Sequence, residues 1–201
     1  LVIDNQPAVE GNIAGVSGIL GSMMGNGTTS ISKDEFNEEI DFLGARLSFG
    51  SSNAYGSSLT KYSERILELM ADAAMNPLLT EEEFQKEKEK AIEGLKSNAK
   101  SVDAVASRVG SALSYGKKHP YGEFVTEETL NNITLDNVRA HFLKNYNPNN
   151  AYLVVVGDVD FRTIEKHVKT YFKKWDKGID VTKNIQEVYN NVNATELHFV
   201  E

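Results

Sequence analysis

Residues Gly15–Thr28 read GVSGILGSMMGNGT, and this stretch decides how the rest of the chain is interpreted. Apolar side chains recur in it at helical spacing, which predicts an amphipathic helix over residues 12–24 that stops at the glycine-rich segment following it. Gly18 and Gly21 fall inside the predicted helix, where each costs up to about 1 kcal/mol relative to alanine. Their presence indicates that another element packs closely on this face or that a functional site has been altered.

Helical spacing and capping residues predict further helices on both sides of a serine- and glycine-rich region. They cover residues 33–43, 63–75, 80–100, 101–115, 127–132, 135–145 and 161–175. Thr80 followed by Glu83 has the pattern of a capping box, and Ser32 is predicted to cap the first of these helices.

Two regions of the sequence have the composition of β-strands. Residues 45–59 favour two adjacent antiparallel strands joined near Ser51–Asn53. The continuous apolar run Ala151–Val156 is typical of a strand buried on both faces. Together with the helices, these strands predict an α+β fold in which helices cover one side of a mostly antiparallel sheet.

The ends of the chain give weaker signals. Val2–Ile3 opens the sequence within an apparent strand, so we expect the first strand of the domain to be missing. Residues 195–200 alternate like a strand or begin a link to a further domain. We therefore predict one domain over residues 1–180 and a linker or following element over residues 181–201.

The composition excludes several classes of protein. The chain has 201 residues and no cysteine, which excludes disulfides, thiolate metal sites and a cysteine nucleophile. Acidic residues outnumber basic ones by 29 to 21, which argues against a nucleic-acid-binding surface. No stretch approaches the roughly 20 apolar residues of a membrane span, so we expect a soluble protein, periplasmic or cytoplasmic.

Several short motifs occur in a fixed order along residues 1–175. They are GVSGILGSMMGNGT at 15–28, IDFLGARLS at 40–48, LELMADAAMNP at 67–77, the charged segment 84–95, HPYG at 119–122, ETL at 128–130, NYNPNN at 145–150 and LVVVGDVD at 153–160. In this order they resemble the pitrilysin/insulinase family of zinc metallopeptidases, whose metal-binding helix reads roughly G-[VL]-A-H-x-L-E-H and is followed by G-T. The resemblance implies the α+β domain of that family.

The resemblance also implies a zinc ion held by the two histidines of H-x-x-E-H and by a glutamate of a later helix, with the motif glutamate as general base. In this chain the histidines fall on Gly18 and Ser22, the base on Gly21, and the third ligand on Gly94. A shift of one residue would make Glu93 the third ligand, but a single carboxylate does not rebuild the site. We therefore expect no zinc, no other cofactor and no catalytic residue in this chain.

The four histidines offer no substitute metal site, because none has a partner at the spacing of metal ligands. His119, beside Pro120, is predicted to lie in a turn. His141, His167 and His198 are predicted to lie at the surface.

Peptidases of this family, the resemblance implies, work as two halves that enclose a chamber for unfolded peptide. We expect this chain to be a non-catalytic half, partnered by a catalytic pitrilysin/insulinase-type domain or subunit, that binds peptide substrate along an exposed strand edge. The residues predicted for that contact are Arg46, Leu47, Ser48, Phe49 and Gly50. An ordinary sheet edge kept soluble by polar residues is an equal interpretation of the same stretch.

Two alternatives stay open on the sequence alone. The chain could be a stand-alone peptide-binding or scaffold module unrelated to proteolysis, or an enzyme whose ligands the motifs do not reveal. Stoichiometric zinc with chelator-sensitive peptidase activity would identify the latter.

Overall fold

The computed structural model of the chain describes residues 1–178, 187–188 and 192–199. The helices are α1 (Val16–Met23), α2 (Lys33–Phe42), α3 (Ser63–Met75), α4 (Glu81–Asn98), α5 (Val102–Tyr115), α6 (Glu127–Asn132), α7 (Leu135–Asn145) and α8 (Phe161–Tyr171). The strands are β1 (Val2–Ile3), β2 (Arg46–Phe49), β3 (Ala54–Ser57) and β4 (Ala151–Tyr152). The α+β class predicted from the sequence is confirmed.

The strands form two small antiparallel ladders. β1 pairs with β4, and β2 pairs with β3 in a register that places Ser48 opposite Tyr55. An isolated antiparallel bridge between Val2 and Asn53 brings the two ladders side by side. The predicted strand pair on either side of Ser51–Asn53 is therefore confirmed.

Local capping explains why several helices begin where the sequence predicted. Ser32 and Glu35 form a reciprocal capping box at α2, because the Ser32 side chain accepts from the Glu35 amide while the Glu35 side chain accepts from the Ser32 amide. Thr126 and Thr134 cap α6 and α7 in the same reciprocal way. At α4 only half of the predicted box forms: Thr80 accepts from the Glu83 amide, whereas the Glu83 carboxylate binds Lys33 and Lys86.

The core has two parts. The larger cluster draws buried side chains from α1, α3, α4, α6 and α7, and Leu20 and Met23 of α1 are fully buried in it. A smaller cluster lies between α2 and α3 around Phe36 and Leu69. Leu47 of β2 packs against both clusters, so the strand pair is fixed to the helices by its inward side chains.

The prediction of a doubly buried strand over Ala151–Val156 is wrong. Only Ala151–Tyr152 is a strand, and Val154 and Val156 are 72% and 91% exposed. The prediction assumed a neighbouring strand on each side, but β4 pairs with β1 alone in the described residues.

Other elements also differ from prediction. The first helix begins at Val16, not residue 12, because Gly15 precedes it with a φ of 105° and interrupts the helical backbone. α8 ends at Tyr171 instead of residue 175. Residues 195–199 form no strand, since they have no strand partner in the described part of the chain, and Val200 lies outside it, as does most of the predicted linker. No described helix has the length and apolar character of a membrane span.

Candidate functional site

Helix α1 presents one face to the core and the opposite face to solvent. Its buried residues are Val16, Ile19, Leu20 and Met23, whereas Gly18 and Ser22 are exposed. Residues four apart share a helical face, so these two positions have the geometry needed for a pair of metal-binding histidines. A glycine and a serine there provide neither imidazole nor carboxylate.

The resemblance places the zinc ligands at Gly18, Ser22 and Gly94, which are termed the ligand-equivalent positions. The third of them lies on α4, which packs directly against α1. Gly94 is exposed and so is Glu93 beside it. A β-carbon added at Gly18 or at Gly94 would meet no atom within 4 Å. The structure thus brings together the two helices that would carry the metal ligands, with open space at Gly18 and Gly94 and no suitable side chain. In the described residues no group of three or more His, Cys, Asp or Glu side chains could hold a metal ion, and the residues present do not fit zinc.

The base-equivalent position differs from its neighbours because another part of the backbone lies against it. A β-carbon on Gly21 would lie 2.9 Å from the amide nitrogen of Ser51 and 3.6 Å from the α-carbon of Gly50. These residues belong to the turn between β2 and β3, which the Gly50 amide closes by donating to the Asn53 carbonyl at 2.8 Å. Gly21 therefore permits a close helix-to-turn contact that any larger residue would disturb.

The predicted peptide-binding residues form an edge strand. In the described part of the chain β2 pairs only with β3, and Arg46 and Ser48 are exposed while Leu47 and Phe49 pack inward. In an antiparallel ladder, hydrogen-bonded pairs alternate with pairs that are not hydrogen-bonded to each other. Gly50 is hydrogen-bonded to Asn53, so Ser48 belongs to a hydrogen-bonded pair, whereas Leu47 and Phe49 do not. The backbone groups of Leu47 and Phe49 therefore point away from β3, toward the free edge.

The start of α1 is held by two carboxylates that sequence reasoning missed. The Glu10 carboxylate accepts from the amides of Gly15 and Ser17 at 2.6 and 3.1 Å, where the positive end of the helix dipole favours negative charge. The Glu123 carboxylate accepts from the amides of Glu10 and Gly11 at 2.9 and 2.6 Å. An acidic residue just before a helix is a recognisable signal, but the pairing of Glu123 with residues over a hundred positions earlier is not.

The four histidines lie apart from one another. His119 stacks on Tyr115 in a turn, as predicted, and His198 contacts Glu196. His167 lies 3.6 Å from Glu64, with only 15% of its side chain exposed. His141 is half-buried on α7, and burial lowers its pKa below the ordinary histidine value. The prediction of surface positions is therefore wrong for His141 and His167, because α7 and α8 each turn one histidine toward neighbouring elements.

A cavity of about 680 Å³ opens beside the exposed face of α1. Its wall includes Gly18, the turn residues Ser51 and Ser52, and His141 and Lys144 of α7. The cavity is thus continuous with the region where the ligand-equivalent position Gly18 and the β2–β3 turn meet.

Two family models match the chain. The model of the insulinase family, peptidase family M16, matches residues 9–119, and the model of the peptidase M16 inactive domain matches residues 132–198. The ligand-equivalent and base-equivalent positions all lie within the first match.

Curated relatives share the sequence over most of this chain. An uncharacterized zinc protease of Rickettsia felis is 25% identical over 170 residues, and the uncharacterized zinc protease YmxG of Bacillus subtilis is 27% identical over 170 residues. Each alignment covers 82% of this chain and 41% of the relative. The chain therefore spans about two fifths of the length of these relatives.

Solved structures share the fold. A peptidase M16 inactive domain from Pseudomonas fluorescens superposes with a TM-score of 0.80 at 21% identity, over 94% of this chain and 47% of that chain. The first half of the periplasmic protease PqqL from Escherichia coli superposes with a TM-score of 0.74 at 17% identity, over 94% of this chain and 43% of that chain.

Proposed function

Because the chain belongs to the insulinase family, peptidase family M16, we propose that it is the non-catalytic half of a two-half peptidase, which helps to enclose or bind peptide while a partner half performs the hydrolysis. The observation that carries this proposal is the identity of the residues at the ligand-equivalent and base-equivalent positions of α1. Its ligand-equivalent residues are a glycine and a serine, and its base-equivalent residue, Gly21, has the backbone of Ser51 packed against it. These positions lie in the region that matches the insulinase model.

Hydrolysis by the family motif needs two contributions that this chain does not supply. A zinc ion held by three protein ligands lowers the pKa of a bound water, and the glutamate takes its proton. Gly18, Ser22 and Gly94 cannot bind the ion, and Gly21 cannot accept a proton. Since the gaps occur on both helices, a single substitution would not restore the site.

The edge of β2 supports a role in holding peptide. Leu47 and Phe49 direct their backbone groups toward the free edge, and the exposed side chains of Arg46 and Ser48 are polar. An extended peptide can add to such an edge through main-chain hydrogen bonds that do not depend on its sequence. The strand leads through Gly50 to the turn that packs against Gly21, so a peptide on this edge would approach α1.

A reconstitution experiment tests the proposal. The partner is an M16 half with an intact H-x-x-E-H motif, taken from the same longer protein or from a neighbouring reading frame. We expect peptide cleavage from the mixture of the two halves and none from either half alone. As a control, a partner whose motif glutamate is replaced by glutamine should leave the mixture inactive. Full activity of the partner without this chain would contradict the proposal and favour a scaffold role unrelated to proteolysis.

A further inference from the structure

The cavity beside Gly18 has the size of a small-ligand site. Its volume of about 680 Å³ falls within the range of pockets that bind small molecules or peptide side chains. Its walls come from the loop at residues 5–10, the first turn of α1, the β2–β3 turn, residues 120–125 and α7. It is therefore built by several segments of the chain and not by one loop.

The acidic groups of this cavity are already engaged by the protein. Both oxygens of Glu10 accept backbone hydrogen bonds from the start of α1, and both oxygens of Glu123 accept backbone hydrogen bonds from Glu10 and Gly11. These two carboxylates hold the loop and the helix in place. Each of the four oxygens thus has one hydrogen bond to the backbone, although both groups keep their negative charge.

The donor groups of the cavity, by contrast, are not engaged by the protein. Within the part of the chain that the structure describes, the side chains of His141, Lys144, Ser51 and Ser52 form no hydrogen bond or ion pair with the protein. His141 and Lys144 are three residues apart on α7, so they share one face of the helix. The cavity thus has unused donors, which suit an anionic group, together with one unpaired acceptor, the buried Oε1 of Gln6.

We propose that this cavity binds a carboxylate through His141 and Lys144, and that its ligand in the assembled peptidase is an acidic residue of the bound peptide. Ser51 and Ser52 of the β2–β3 turn also line the cavity, and their hydroxyl groups are further donors for the same ligand. The assignment of the ligand to a peptide rests on the proposed function, whereas carboxylate binding as such does not. The consequence would be a preference for acidic residues at one position of the substrate.

The test uses the whole chain and two matched probes, N-acetyl-glutamate N-methylamide and N-acetyl-glutamine N-methylamide. NMR signals of the histidine rings are followed during titration, and a His141→Asn variant assigns the signal of His141. We expect the glutamate probe to shift the His141 signal and to bind about tenfold or more tightly than the glutamine probe, because hydrogen bonds to a charged group are the stronger ones. Equal affinity for the two probes would overturn the proposal.

Two substitutions locate the effect. Lys144→Met removes an exposed cation from the cavity and should abolish the preference for glutamate. Lys174→Met removes an exposed lysine outside the cavity and should leave the preference unchanged. A preference that survives Lys144→Met would contradict the assignment. The probes are too small to add to the sheet as a strand, so their binding is independent of the two-half proposal. Glutamate binding would remain valid if the reconstitution of activity failed. Failure of the probes to bind would leave the two-half proposal unaffected.

Discussion

The amide nitrogen of Ser51 lies 2.9 Å from the position that a β-carbon on Gly21 would occupy. Side chains do not normally approach a backbone atom so closely, and neither Ser51 nor its neighbour Gly50 can move without opening the β2–β3 turn. Gly21→Ala should therefore lower the free energy of unfolding by about 1–3 kcal/mol, as overpacking does, although alanine is the better helix former. Chemical denaturation of the two proteins measures the difference.

A matched substitution one turn earlier should have the opposite sign. Gly18 is in the same helix, but apart from its chain neighbours and the backbone of the helix itself, no atom lies within 4 Å of its added β-carbon. Gly18→Ala should therefore raise the free energy of unfolding by up to about 1 kcal/mol through helix propensity alone. If Gly21→Ala also stabilised the protein, the close packing of the turn on α1 would be refuted.

Peptide addition to β2 can be tested with backbone-methylated peptides. In a strand, alternate residues direct their amides to the same edge. N-methyl groups on one set of alternate residues therefore block pairing with Leu47 and Phe49, whereas N-methyl groups on the other set, the second phase, point away from β2. For an oligopeptide of alternating valine and serine, we expect methylation in one phase to abolish binding and methylation in the other to preserve it. Calorimetry can measure both affinities. Equal affinities in the two phases would exclude pairing along this edge.

An ion pair between α2 and α3 predicts a pH-dependent contribution to stability. The Arg65 guanidinium binds both oxygens of Glu39, at 2.5 and 2.7 Å, and these hydrogen bonds lower the pKa of that carboxyl. A lowered pKa means that the stabilisation is present above the unfolded-state pKa and is lost as pH falls through the folded value. Glu39→Gln should cost about 1 kcal/mol at neutral pH, allowing for solvent screening, and progressively less as the pH falls below the ordinary glutamate pKa of about 4.3.

The neighbouring residue provides the control for this measurement. Glu38 is exposed and has no ion pair in the described residues, so Glu38→Gln should change the free energy of unfolding little at either pH. A pH-independent loss in Glu39→Gln would mean that the carboxylate acts through packing and not through charge.

Carboxylate binding in the cavity should also depend on pH. Burial lowers the pKa of His141, the negative charge of Glu10 raises it, and the positive charge of Lys144 lowers it. The Glu123 carboxylate also lines the cavity. A bound carboxylate favours the imidazolium and raises that pKa, so binding takes up a proton. The affinity of the glutamate probe should therefore increase as pH falls from about 7.5 to about 5.5. An unchanged affinity over this range would show that His141 does not contact the ligand.

The parts of the fold that were predictable depend on local interactions. The bounds of α6 and α7 follow from Thr126 and Thr134, whose side chains satisfy amides three residues later, so a short window of sequence contains the whole signal. That Gly18, Gly21 and Ser22 supply no imidazole or carboxylate was equally evident from the sequence, because this depends on residue type alone. Both kinds of inference need no knowledge of distant contacts.

The parts that failed depend on contacts between distant segments. Val154 and Val156 belong to an apolar run, but whether such a run is buried depends on neighbouring strands, and β4 pairs only with β1 in the described residues. The contact between Gly21 and Ser51 and the unused donors of His141 likewise arise from packing. The sequence suggested a close approach to the glycines of α1 but could not identify the β2–β3 turn as the element responsible.

Metal analysis of the purified chain, combined with a peptidase assay, tests the central claim most directly. The ligand-equivalent residues Gly18, Ser22 and Gly94 cannot hold zinc, and Gly21 cannot serve as the base. We therefore predict no stoichiometric zinc after incubation with excess zinc and removal of the free ion, and no peptide cleavage by the chain alone. Stoichiometric zinc accompanied by peptidase activity that a chelator abolishes would contradict the account.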